Sequence, residues 1–206
     1  MTLRPKLAQA VLCIAILGVL APAAVLADSS VCDAIAGNIV KNCGFETGNF
    51  SGWVVNPAGP DSSDVGVIAG NQHSGIYHAY FGAINEQYDA ISQTLSTHPG
   101  TGYTVSFWLN NYSGTSDADF KAFWDGTLLV DVPGTSAFPY TDYVFSVHGA
   151  GSDTLRFEGY QGITIYRLDD VSVVAPEPSG LYLLGLYLLC IGLLGLGSLV
   201  PRKLSA

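Results

Sequence analysis

Trp108 lies in the run Tyr103-Thr-Val-Ser-Phe-Trp-Leu-Asn110, in which apolar and polar positions alternate. On an extended strand, Val105, Phe107 and Leu109 fall on one face and Ser106, Trp108 and Asn110 on the other. An indole beside an amide is suited to sugar recognition: the ring plane meets the apolar face of a pyranose and the amide pairs with its hydroxyls. Trp108 and Asn110 are therefore the candidate ligand-binding residues. Tyr112 and Trp124 are further candidates for that surface, although alternation does not fix their faces. Trp53, after the Phe50-Ser-Gly turn, is expected to pack at an end of the domain.

Catalytic chemistry has less to stand on, and no catalytic residue is predicted. Gly48-Asn-Phe-Ser51-Gly52 has the wrong order for a nucleophile elbow. Phosphate-binding, dinucleotide-binding and His-Glu-x-x-His patterns are all absent from the sequence. His73 and His78 lack the further ligand a zinc site requires and read as loop or surface histidines. Asp61/Asp64 and Asp117/Asp119 resemble glycosidase pairs only in composition; each sits among Ser, Gly and Pro, where solvated acids are usual.

The elements that must carry these residues are strands. Stretches 103–109, 120–124, 127–130, 143–147, 154–157 and 168–174 alternate or are rich in β-branched and aromatic residues, at about ten-residue spacing. Asp125-Gly126 is a two-residue hairpin signal between Trp124 and Thr127. The reading is an all-β, antiparallel sandwich.

Both ends differ from this middle. Arg4 and Lys6 precede an apolar run from Leu7 to Leu20 and the small residues up to Ala27, the pattern of a signal peptide over residues 1–27. From Pro178 to Pro201 there is no charge, and residues 180–200 are long enough for a single transmembrane helix. Arg202 and Lys203 beyond it place the C-terminus in the cytoplasm. The exported domain, residues 28–175, holds 16 acidic residues against Lys41, Lys121, Arg156 and Arg167, a formal net charge of −12. That charge repels nucleic acid and favours a neutral polymer, a protein or a cation as partner. The domain's two cysteines, Cys32 and Cys43, allow one intramolecular bridge in an oxidising compartment, with free or intermolecular thiols as the alternative.

Two resemblances add to this reading. Pro176-Glu177-Pro178, the apolar span and Arg202-Lys203 resemble the PEP-CTERM sorting signal of Gram-negative bacteria, here residues 176–206. The resemblance implies recognition by an exosortase, a transient inner-membrane anchor and delivery to the cell surface or exopolysaccharide matrix. Two departures are Ala175 where valine is common and two basic residues where an arginine cluster is usual. Separately, the run Asn38 to Trp53, with Cys43-Gly-Phe-Glu46 at its centre, and Leu168-Asp169-Asp170-Val171-Ser-Val173 are similar to galactose-binding-like jelly rolls that include carbohydrate-binding modules. That resemblance implies adjacent first and last strands and a structural calcium ion held by Glu46 and Asp169. Alternation agrees by placing Asp169 inward with Val171 and Val173, and Asp170 outward. The alternative is that Glu46 and Asp169 pair with backbone N–H groups or with Arg167.

The preferred expectation is a surface-sorted, non-enzymatic jelly-roll sandwich with a structural or adhesive role. The alternative is a carbohydrate-binding module with a defined glycan ligand; an extracellular hydrolase ranks third.

Overall fold

A computed structural model of the chain describes residues 29–115 and 117–176, together with Tyr187. The expected signal peptide, Glu177, Pro178, the 180–200 span apart from Tyr187, Arg202 and Lys203 lie outside the described residues. Among the described residues no helix is long and apolar enough to cross a membrane.

Among the described residues, ten strands follow a short 3-10 turn at Val31–Ala34: β1 Val54–Asn56, β2 Val65–Ala69, β3 Tyr77–Phe81, β4 Asp89–Ser96, β5 Gly102–Asn111, β6 Ala118–Trp124, β7 Thr127–Pro133, β8 Phe138–His148, β9 Ser152–Gln161 and β10 Tyr166–Val174. They form two five-stranded sheets, ordered β1-β4-β9-β6-β7 and β2-β3-β10-β5-β8, and the paired strands run antiparallel. The architecture is an antiparallel two-sheet sandwich consistent with a jelly roll. β5 shows why the sheets face each other: Tyr103, Val105, Phe107 and Leu109 are buried while the residues between them are half-buried. Across the interface the Phe107 ring meets Phe157 edge-on at 4.9 Å, and Phe81, Phe120 and Tyr166 fill the same layer. The Asp125-Gly126 turn has φ of 47° and 75°, the left-handed pair that a tight hairpin between β6 and β7 requires.

The six predicted strands correspond to β5 through β10, and β1 to β4 were not foreseen. In β4 the inward positions are Ile91, Gln93 and Leu95, so a polar residue interrupts the apolar alternation. The Gln93 amide accepts from the Lys41 N–H at 2.8 Å and donates to the Lys41 carbonyl at 3.0 Å. It thereby ties the N-terminal arm to the sandwich. That arm is not a strand, although it runs beside the last one: the Ile39 N–H donates to the Val173 carbonyl and the Val171 N–H to the Cys43 carbonyl. Cys32 and Cys43 are joined in a disulfide whose Cα atoms lie 6.0 Å apart.

Candidate ligand face

The outer surface of sheet β2-β3-β10-β5-β8 gathers most of the chemistry. Leu109 pairs with Leu168 on the core side, so the next pairs, Trp108 with Asp169 and Asn110 with Arg167, stand on the outer side. Arg167 donates from Nη1 to the Asn110 side-chain oxygen at 3.0 Å, and the Asn110 amide donates to the Phe138 carbonyl at 2.6 Å. The Arg167 guanidinium lies 4.7 Å from the ring centroid of Tyr112, which is 66% exposed. Asn110, Tyr112, Phe138 and Pro139 line an open cleft of about 280 Å³. An exposed ring, a fixed guanidinium and an amide along a shallow cleft suit a flat polyhydroxylated ligand.

Beside this cleft Trp108 carries a second ring. His73, from the turn before β3, stacks on the indole at 3.8 Å and 13°, with Tyr140 tilted against the imidazole at 5.5 Å. The Tyr140 hydroxyl and Arg167 Nε are buried and have no hydrogen-bond partner. Burial, reinforced by the charge of Asp169, pushes the Tyr140 hydroxyl well above the usual phenol range. It therefore stays neutral.

Behind the stack lie the acidic residues of β10. Asp169 and Asp170 are both buried, so the expectation that Asp170 faces outward does not hold. A bulge is the reason: Asp169 pairs with Trp108 but Ser172 with Ser106, and Asp170 takes up the extra residue at φ 47°. Strict alternation therefore fails between 169 and 172, and Asp169 stands on the Trp108 side of the sheet and not with Val173. Asp169 Oδ2 accepts from the backbone N–H groups of His73 at 2.8 Å and Ser74 at 3.2 Å, and Oδ1 from that of Asp170. Glu46 accepts from the N–H groups of Ile76 and Tyr77 at 3.0 to 3.1 Å. The two carboxylates thus grip opposite ends of one turn. Burial, then the neighbouring charge of Asp170, pushes Asp169 up to about 8.

Other sequence candidates fall elsewhere. Trp124 is a core residue whose indole N–H donates to the His148 carbonyl. Trp53 packs on Phe45 and Phe157 at the sandwich end. His78 is not a loop or surface residue; it lies on β3 and is 1% exposed. Asp119, expected in a solvated loop, is buried on β6 and bonds to Lys121 on the same strand and to Tyr88, which immediately precedes β4 of the same sheet. Among the described residues, Cys32, Asp33 and Cys43 are close enough together for a shared ion, but the disulfide removes both sulfurs as ligands.

Residues 37–122 match the family described as a carbohydrate binding domain. The match runs from the arm through β5 and β6 and so includes Glu46, His73, Trp108, Asn110 and Tyr112. The chain is 30% identical over 155 residues to endo-1,4-beta-xylanase A of Thermoanaerobacterium saccharolyticum, covering 67% of this chain and 13% of that enzyme. The chain therefore spans only a small part of the curated relative. Among solved structures it resembles the module TmCBM61 in complex with beta-1,4-galactotriose, with a TM-score of 0.53, 22% identity, and 68% of this chain and 100% of that one covered. It also resembles the K1 cleaved adhesin domain of Lys-gingipain from Porphyromonas gingivalis W83, with a TM-score of 0.52, 13% identity, and coverage of 65% and 96%. At these identities the structural likeness is one of fold. Taken together, the domain resembles carbohydrate-binding modules, and this favours the binding-module alternative over the structural or adhesive role preferred from sequence.

His73, Asp170, Arg167 and Tyr140 were missed as parts of the face. For Arg167 a signal was available, since it sits one position before the inward Leu168 and so on the outward side of β10. No local signal marks His73, because only the fold brings its turn onto Trp108.

Proposed function

We propose that the exported domain is a non-catalytic carbohydrate-binding module whose ligand lies along the outer face of sheet β2-β3-β10-β5-β8. The observation that carries this reading is the exposed Tyr112 ring under the Arg167 guanidinium, beside Asn110 and next to the Trp108–His73 stack. A pyranose ring would stack on the aromatic surface while Arg167 and Asn110 pair with its hydroxyls. The reading extends to β-1,4-linked galactan and xylan as first ligands to test, because a galactotriose complex and a xylanase are among the similar proteins.

The test is affinity electrophoresis of the full chain through gels containing β-1,4-galactan or xylan. Retention by at least one polymer is expected, with Tyr112→Ala and Trp108→Ala each weakening it by roughly tenfold, the loss of one stacked ring. Retention by neither polymer, or retention untouched by both variants, removes the reading.

Delivery is proposed to follow the two ends of the sequence: export by the signal peptide, transient anchoring by the span, and exosortase processing that leaves the domain outside the cell. Intact mass of the protein from its native host should then lack residues 180–206; a retained tail would make the anchor permanent.

A calcium ion is proposed as countercharge for the acidic residues behind the platform. The donors there are oxygens, the chemistry calcium selects, and buried Asp169 and Asp170 have one ion-pair partner among the described residues, the half-buried His73 on Asp170. Glu46 and Asp169 would hold the ion, which supplies positive charge that keeps the Asp169 carboxylate ionised.

A further inference from the structure

The stack of His73 on Trp108 needs something to hold it, since the histidine comes from a turn and the tryptophan from a strand. The restraint runs through Asp170. One carboxylate oxygen, Oδ2, meets His73 Nδ1 at 2.6 Å and accepts from the Ser74 hydroxyl at 2.7 Å. The other oxygen accepts from the Ser30 hydroxyl and, at 3.4 Å, from the Cys32 N–H. The Val31 N–H donates to the Ser74 hydroxyl at 2.9 Å, so the arm grips the turn directly as well. Ser30, Val31 and Cys32 are in turn fixed by the Cys32–Cys43 bridge, and the Cys43 carbonyl is bound to the Val171 N–H one residue beyond Asp170. A closed ring of contacts therefore runs from the bridge to Ser30, Asp170, His73 and Trp108.

We propose that Asp170 and the Cys32–Cys43 bridge are positioning elements of the glycan platform, acting through His73, and that His73 is itself a platform residue stacked against the ligand side of Trp108. The assignment rests on the reading of this face as the glycan site. It places binding competence under the control of a bridge whose cysteines lie in the N-terminal arm, outside the cleft. A carboxylate with two clients, one on the arm and one on the platform, transmits the position of the first to the second. An arm freed from Cys43 withdraws Ser30 and Cys32 from Asp170 and leaves the His73 ring free to turn off the indole.

A double-mutant cycle on the full chain tests this, with retention by the β-1,4-galactan or xylan gel as one readout. The other is the ring-current shift that Trp108 imposes on the His73 Cε1 proton, followed by NMR. His73→Ala, Asp170→Ala and the paired change Cys32→Ser with Cys43→Ser should each weaken retention, by about five- to tenfold for loss of one ordered ring. Adding Asp170→Ala to His73→Ala should cost nothing more, because the two act as one unit. Asp170→Asn keeps an acceptor for Ser30 and Cys32 and should retain most of the binding, whereas His73→Phe keeps a ring but not the Nδ1 contact to Asp170 and should lose retention as Asp170→Ala does. The upfield shift should disappear in Asp170→Ala and in the bridge variant, measured well below their melting temperatures. Additive losses, tighter binding by His73→Ala, or an unchanged shift in both Asp170→Ala and the bridge variant would overturn the proposal. A wild-type chain held by neither polymer defeats the glycan reading instead, and the shift then decides the positioning role by itself.

Discussion

His78 illustrates how a single side chain sets a pH limit on this fold. Both its ring nitrogens are buried without a hydrogen-bond partner. Burial, assisted by the positive charge of Arg167, lowers its pKa from 6.5 to about 4. The unfolded chain therefore binds a proton in this window that the folded chain refuses. The stability His78 contributes is complete above pH 6.5 and is lost as pH falls toward 4, by up to about 3 kcal/mol. Because Asp169, pushed up to about 8, gains stability over the same window, the His78 loss is read as a difference: between pH 7.5 and 4.5 the melting temperature of the wild type should fall relative to that of His78→Leu, which cannot titrate and leaves no buried nitrogen unpaired. Asp119 and Asp153 have lowered values, so their losses begin only as pH falls toward the ordinary carboxylate value and are common to both proteins. Equal slopes for the wild type and His78→Leu would sink the assignment. At this scale the outward placement of Trp108 and Asn110 was legible because β5 alternates without interruption. His78 was not, because the adjoining Tyr77 and Ala79 gave no cue that β3 sits beside β10 with its outer side covered.

Elements, more than residues, decide whether the carboxylates work together. Glu46 belongs to the arm, Asp169 to β10, and the turn 73–77 lies between them with its N–H groups shared out to both. An ion held by Glu46 and Asp169 would lock three segments that are otherwise joined by hydrogen bonds. Calcium at about one hundred times its dissociation constant adds roughly 2.7 kcal/mol, which for a domain of this size raises the melting temperature by roughly 5 to 10 °C. Chelator should reverse the rise, and Glu46→Ala or Asp169→Ala should abolish it. A melting temperature indifferent to calcium, or a rise that survives both variants, would exclude the site. The sequence foretold the partners of this arrangement only in part. Alternation reads a strand as regular, and the bulge at Asp170 inserts a residue that no side-chain pattern announces. Gln93 hides β4 in the same way, because its inward amide serves the arm's backbone instead of the apolar core.

For the molecule as a whole, charge is the property that most restricts the ligand. Residues 28–175 carry a formal charge of −12. Lys121 is bridged to Asp119 and Arg156 to Glu158, whereas Arg167, on the ligand face, makes no ion pair among the described residues. One guanidinium donates well to hydroxyls, but the surrounding field still opposes a polyanion at distances beyond contact. A neutral polymer meets no such barrier, since its hydroxyls are recognised by short-range stacking and hydrogen bonds that salt screens weakly. Retention by galactan or xylan should therefore hold steady between about 10 mM and 500 mM salt, while the Debye length shrinks from about 30 Å to under 8 Å. Any retention by a uronic-acid polymer should be weakest at low salt and grow as salt screens the repulsion. Strong binding of the acidic polymer at low salt, falling as salt is added, would mean that the local field of Arg167 outweighs the net charge and that the ligand is anionic.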